Sequence, residues 1–378
     1  MPMLKKELRT YILILLLSLT PVLLIYLPFA LHLKSFWQIP LKASGMQQIF
    51  ANWDGPNYVL NAITMYDPSE IAKRAFLARP NEYYAAHFPL YSVFIRLFAP
   101  LFGYFWSAIV VQLLSGVVLN TAFYCWVKSH TKHPLWLTFA FTIFPPRYWV
   151  LRAVIAPELL LVACIIGVLY FWQKDKPLLS GSLALIAVLI KFQAIIFVPV
   201  FMLTLAEKWF REKKINYTHL SAPILPILGY GVIALLYQFT FGNWNAYFMA
   251  QKIAGLSSSI PFGMFNYAQR WVGTGWMETA ALYFVGMIIL LVRLMKGFPR
   301  IYFWFTLCYI GMLSVIPQVD IMRLAMPLAP IFFLVFHEAL SSKHFKYGLM
   351  LSVPFLYLYT INFIMTNQAP ITNWALFR

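Results

Sequence analysis

The chain has 378 residues, 61% of them hydrophobic and only 11% charged, which is too little polar surface to cover a soluble core of this size. Its formal net charge of +17 arises from 29 lysines and arginines dispersed through short loops, not from a basic block or stripe, which argues against a nucleic-acid partner and for a bias set by membrane topology. Apolar runs of roughly 15 to 23 residues, separated by short polar clusters, define an all-α, polytopic integral membrane protein.

From the N-terminus, Lys5, Lys6 and Arg9 precede an apolar run from Tyr11 to Leu33 that exceeds a signal-peptide core and lacks a small-residue cleavage site, so it reads as a retained first span. A long polar segment, about 34–103, follows. Within it, Met46 to Phe50 and Tyr58 to Met65 have helical patterns on either side of an Asp54-Gly55-Pro56 break, which puts Asp54 at a helix junction. Asp67-Pro68-Ser69-Glu70 supplies an N-cap, a proline at the first helical position and a glutamate three residues on, and predicts a short amphipathic helix lying in the interface plane. The apolar stretch 88–102 is expected to be half-inserted or re-entrant, because a full crossing there would invert the charge bias of every later loop.

Further spans are expected at roughly 104–127, 134–149, 157–173, 178–190, 192–206, 219–241, 279–296, 301–316, 322–340 and 345–366, about eleven crossings in all. The pair 178–190 and 192–206 is short and reads as a shallow hairpin with Lys191 and Gln193 at its tip. The basic segments 1–10, 128–133, 174–177, 207–218, 293–300 and 341–346 then share one face, which the positive-inside rule makes cytoplasmic. Two long segments, external loop 1 at about 34–103 and external loop 2 at about 242–278, share the other face of a single domain spanning 1–378. Cys125, Cys164 and Cys308 all lie in apolar runs, where they are small core residues and neither a disulfide framework nor a thiolate metal site.

The acids narrow the search for chemistry. Glu7, Asp175, Glu207, Glu212 and Glu338 fall on the basic face as ordinary solvated residues, whereas Asp67 and Glu70 are occupied in capping. Asp54, beside Trp53, is the leading candidate for a catalytic carboxylate, its rival role being a cap for the helix that starts near Asn57. Glu158 at a span end needs a partner or a function, and either Arg147 or Arg152 would pair with it. Lys191 between two apolar half-spans suits an anionic phosphate or snorkels to the interface. Asp320 and Arg323 can pair with each other. Arg270, in Asn266-Tyr267-Ala268-Gln269-Arg270-Trp271, could bind phosphate or stack on an aromatic ring, and His87 could donate to a phosphate or hydroxyl. No Asp-x-Asp pair, His-x-x-x-His, glycine-rich phosphate loop or Gly-x-Ser-x-Gly elbow occurs, so neither a bound metal nor another cofactor is expected.

Trp53-Asp54 with Tyr58 and Tyr66, followed by His87-Phe88-Pro89-Leu90-Tyr91 leading into an apolar run, resembles the first-loop pattern of the mannosyltransferases that add the second mannose of glycosylphosphatidylinositol anchors, and of their bacterial relatives. Ala156-Pro157-Glu158-Leu159-Leu160 and Lys191-Phe192-Gln193 extend the likeness more weakly. The sequence departs from the pattern at Asn57, His87, Ser92 and Lys191, and its second half matches only in hydropathy. The resemblance implies a GT-C-type helical bundle whose external loops carry short helices. It further implies an inverting transfer of a sugar, mannose by this likeness, from a polyprenyl-phosphate donor to a glycan or glycolipid acceptor. Asp54 would be the general base; Lys191, Arg270, His87 and Arg152 would bind the donor phosphate; Glu158, Trp53, Tyr58 and Trp271 would orient or bind the acceptor. A bacterial plasma membrane is favoured over the endoplasmic reticulum, with the N-terminus cytoplasmic and the site external. The rival readings are a transporter or lipid flippase, although no internal repeat supports it, and a lipid-linked-glycan ligase or polymerase.

Overall fold

The structure is a computed structural model that describes residues 2–42, 45–213, 216–256, 260–265, 273–318, 320–371 and 373–377. It is helical almost throughout. Among the described residues, six helices are long and apolar enough to cross a membrane, or seven if the bent pair Pro146–Ala153 and Glu158–Gln173 forms one span, and four shorter apolar helices accompany them. The chain divides into two compact units, one formed by Met1–Arg79, Pro89–Ala163 and Phe336–Arg378, the other by Pro80–Phe88 and Cys164–Val335.

The first unit opens with α1 (Pro2–Ala30), which keeps Pro21 and Pro28 inside the helix. A proline has no N–H for the carbonyl four residues earlier, and in lipid that carbonyl must find another donor. For Pro28 the orphan is Leu24, and the Tyr357 hydroxyl donates to its carbonyl at 2.8 Å. After a two-strand hairpin (Ser35–Phe36 with Ile39–Pro40) come α2 (Gln47–Phe50), α3 (Gly55–Thr64) and α4 (Pro68–Arg74). The cap expected of Asp67 is present: its carboxylate accepts from the N–H groups of Ser69 and Glu70 at 2.7 and 3.3 Å and from the Ser69 hydroxyl at 2.7 Å.

The stretch 88–102 is helical, the first arm of α5 (Pro89–Val127), which kinks where Gly103 takes the left-handed φ of 71°. The run 134–149 is not one helix: α6 (Pro134–Ile143) stops before the Pro145-Pro146 pair, and α7 (Pro146–Ala153) starts anew. A second break, bent by 117°, separates α7 from α8 (Glu158–Gln173). The unit is completed by α17 (His337–Leu340) and α18 (Lys343–Thr366). Its helices are stitched by buried polar links: the Trp149 indole donates to the Pro21 carbonyl at 3.0 Å, and the Asn120 amide nitrogen donates to Ser18 at 2.9 Å and Thr142 at 3.1 Å.

In the second unit, α9 (Pro177–Ile190) and α11 (Ser221–Phe241) approach closely over glycines. A Cβ at Gly181 would lie 2.9 Å from the Ala222 Cα, and one at Gly229 would lie 3.1 Å from the Leu185 carbonyl oxygen. Between them in sequence lies α10 (Phe197–Glu212); α12 (Ala246–Ile253), α13 (Gly273–Leu294) and α14 (Arg300–Val315) follow. The run 322–340 is fragmented into α15 (Ile321–Leu324), a 3-10 turn containing Pro327, and α16 (Ala329–Val335), leaving its tail to α17 of the first unit. Basic loops of this unit meet at one end. His219 lies 2.9 Å from Asp175, the Tyr302 hydroxyl donates to Gln173 at 2.8 Å, and Glu207 takes Arg300 at 2.8 Å and the Trp304 indole at 2.7 Å. Glu207 is therefore not an ordinary solvated acid but a partly buried link between α10 and α14. The expected Asp320–Arg323 pair is present at 3.2 Å.

Candidate functional site

Asp54 stands where α2 has ended and α3 begins, at the N-cap position, yet its side chain makes no capping hydrogen bond. The turn that presents it is held from several sides. Asn52 is fully buried, and its amide donates to the carbonyls of Gln48 at 2.7 Å and Ile364 at 3.2 Å. The Ala369 N–H donates to the Ala51 carbonyl at 2.6 Å, so the segment after α18 closes against the turn. Trp53 adopts φ 45°, a left-handed conformation that costs a bulky residue on the order of 1–2 kcal/mol and that persists only where its surroundings enforce it.

Those surroundings are aromatic and cationic. The Trp53 ring lies 5.1 Å from that of Phe363, and the Arg147 guanidinium sits 4.2 Å from the Phe363 centroid and 5.6 Å from that of Trp53. On the opposite flank, Gly55 meets the α7–α8 break: a Cβ there would lie 3.1 Å from the Ile155 Cβ, the Ile155 carbonyl and the Phe50 carbonyl. The Asp54 turn is thus packed against the peptide segment that leads into Glu158.

Gln112 of α5 shapes that segment. Its amide nitrogen donates to the Leu151 carbonyl at 2.5 Å, while its oxygen accepts from the Ala156 N–H at 3.1 Å and the Tyr91 hydroxyl at 2.7 Å. One side chain thereby satisfies backbone groups freed on both sides of the 117° bend, as a broken helix in lipid requires. Glu158 follows in the first turn of α8 and is 3% exposed. Arg152 is 1% exposed and donates through Nη2 to the Asn120 oxygen at 2.7 Å. Tyr58 is buried edge-on to Tyr91 at 5.3 Å.

Asp54, Trp53, Tyr58, Arg152 and Glu158 accordingly belong to the first unit, and His87 and Lys191 to the second. Lys191 has extended backbone at the break between α9 and the 3-10 turn Phe192–Ile196, and His87 ends the 3-10 turn Asn81–Ala86. Each immediately precedes a phenylalanine of one aromatic cluster, Phe192 and Phe88, whose rings are 6.2 Å apart and which enclose Tyr247 at 4.4 and 5.2 Å. The Tyr237 hydroxyl donates to the Ala85 carbonyl at 2.7 Å and ties the His87 segment to α11. Arg270 and Trp271 lie outside the described residues. Among the described residues no group of three or more His, Cys, Asp or Glu is arranged to hold a metal.

Two contributors were not singled out in the sequence, Gln112 and the pairing of Arg147 with Trp53. An uncharged glutamine inside an apolar run, and an arginine at the entry to α7 next to two prolines, were the signals available.

Comparison of the sequence with protein-family models and with curated proteins finds no match. Solved structures do resemble it. ArnT from Cupriavidus metallidurans bound to undecaprenyl phosphate has a TM-score of 0.53 at 13% identity, covering 90% of this chain and 63% of that one. The Archaeoglobus fulgidus oligosaccharyltransferase in complex with zinc and sulfate has a TM-score of 0.50 at 12% identity, covering 95% and 54%. The chain thus spans just under two thirds of the length of the one and about half of the other. At such identities the likeness is one of fold, a GT-C-type helical bundle.

Proposed function

We propose that this protein is a membrane glycosyltransferase that draws its sugar from a polyprenyl-phosphate carrier, with mannose as the sugar and a glycan or glycolipid hydroxyl as the acceptor, on the external face of a bacterial plasma membrane. The observation that carries the reading is the GT-C fold, shared with an ArnT that was captured with undecaprenyl phosphate. Asp54 is the general base. It removes the proton of the acceptor hydroxyl as that oxygen attacks the anomeric carbon, and the bond from that carbon to the carrier phosphate breaks with its electron pair leaving on the phosphate, inverting the centre. Its position at a helix start without a capping hydrogen bond supports this role over that of a cap.

Lys191, Arg270, His87 and Arg152 are the candidates for binding the donor phosphate. With fourteen residues, α9 rises only about 20 Å against a hydrocarbon layer of about 30 Å, a length that leaves Lys191 recessed below the headgroup layer. Glu158 orients the acceptor, and Trp53, Tyr58 and Trp271 offer it flat faces.

The test is transfer by purified protein from polyprenyl-phosphate sugars, with Asp54→Asn expected to lose about 10²–10⁴-fold in rate while unfolding like wild type. A folded Asp54→Asn variant that transfers as fast as wild type refutes the assignment of the base. The likeness to an oligosaccharyltransferase favours one second reading, a pyrophosphate-linked glycan as donor. Transfer from pyrophosphate carriers alone would replace the first reading by the second.

A further inference from the structure

We propose that Arg147 is a positioning residue for the transfer, holding the left-handed Trp53 turn and through it the direction of Asp54; this rests on the reading of Asp54 as the base. Three observations meet at this place. Trp53 is in a conformation that a large L-residue does not adopt unaided, with φ 45°. The Arg147 guanidinium, in a side chain only 8% exposed, lies against the two rings that flank it, 4.2 Å from the centroid of Phe363 and 5.6 Å from that of Trp53. The partner elements are otherwise rigid: α7 is fixed by the Trp149 bond to Pro21 and the Tyr26 bond to the Ala153 carbonyl at 2.7 Å, and Phe363 rides on α18.

A guanidinium suits this place where an ammonium does not. It is planar and weakly hydrated, so it can lie flat on one ring while facing a second, and it keeps its charge when removed from water. Removing it takes away one of the contacts that hold Trp53 in this conformation, and the turn shifts toward the favoured β or α regions. Because Asp54 is the next residue, a change in the Trp53 backbone swings the carboxylate away from the acceptor. A displacement of about 1 Å at the reacting group is enough for a rate loss of about 10²-fold.

The measurement is steady-state transfer by purified Arg147→Met, Arg147→Lys, Trp53→Leu and the double variant Arg147→Met/Trp53→Leu, each checked for wild-type elution and thermal unfolding. Positioning predicts kcat down by about 30- to 100-fold in Arg147→Met, KM for donor and acceptor within about threefold of wild type, and little rescue in Arg147→Lys. It also predicts a double variant no slower than the worse single one, since both changes release the same turn. If Arg147→Met does not fold, Phe363→Leu, which removes one face of the stack, is expected to show the same split at smaller amplitude. Wild-type kcat in Arg147→Met or Phe363→Leu overturns the proposal, as does a tenfold rise in donor KM at unchanged kcat, which would make Arg147 a donor-binding group. Asp54→Asn is run alongside. An inactive Asp54→Asn with a normal Arg147→Met removes only the positioning role, whereas a fully active Asp54→Asn removes the base and the positioning role together.

Discussion

Replacing Gln112 by leucine keeps the side-chain volume near native but strips the fastening from the α7–α8 break. Three buried partners lose their mate together: the Tyr91 hydroxyl, the Leu151 carbonyl and the Ala156 N–H. A neutral hydrogen bond is worth about 1 kcal/mol net, and a buried group left unsatisfied costs about 1–3 kcal/mol; with some relaxation of Tyr91, the loss should total about 3–5 kcal/mol. That is a large share of the roughly 5–15 kcal/mol that holds a typical domain together. Denaturant unfolding in a mild detergent, followed by circular dichroism, measures it. Transfer activity should fall with stability, because Gly55 and the Asp54 turn rest on the same break. A destabilisation below about 1 kcal/mol would refute the reasoning and mean that apolar packing alone holds the bend.

Gly55→Ala is expected to destabilise by about 1–2 kcal/mol, since the added methyl meets two carbonyl oxygens at 3.1 Å and overpacking outweighs the usual gain from alanine in a helix; wild-type stability and rate would show that the turn can retreat without consequence. At α4 the Ser69 hydroxyl, together with the N–H groups of Ser69 and Glu70, holds the Asp67 carboxyl below its usual range. A depressed carboxyl stabilises the folded form above the ordinary value near 3.8, and that contribution is lost as pH falls through the lower folded value. Hydrogen exchange across residues 68–74 should therefore accelerate, relative to its intrinsic rate, as pH falls below about 4, and Asp67→Asn should flatten that dependence. An identical dependence in the two proteins would exclude the cap as its origin.

Much of this architecture could be read from hydropathy and punctuation. The helices around Asp54, the cap at Asp67, the long spans and the interruption at Lys191 follow from local signals that tertiary contacts leave undisturbed. What escaped was of three kinds. The Pro145-Pro146 pair splits 134–149 and a 3-10 turn containing Pro327 interrupts 322–340, leaving pieces too short to cross, and hydropathy averaged over a window does not register them. Gly103 joins the 88–102 helix to the next span through a single left-handed residue, a kink that no local signal marks. Gln112 and Arg147 act across more than thirty and more than ninety residues, on Leu151 and on Trp53, a distance at which one sequence gives no signal of contact. Glu207 illustrates the same limit, since its partners Arg300 and Trp304 lie on a helix nearly a hundred residues further along.

The order in which the chain is synthesised acquires a meaning from the Asn52 turn. Ile364 accepts from Asn52, the Gln368 amide donates to the Gln48 carbonyl at 3.1 Å, and Ala369 donates to Ala51, so the candidate catalytic turn is closed by residues translated more than three hundred positions after it. While the intervening spans are being inserted, the turn that precedes Trp53 and Asp54 lacks the strap that closes it. The turn would therefore stay unformed in a nascent chain until residues 364–369 are in place. A truncation that removes residues 364–378 should yield a protein that inserts normally and is inert.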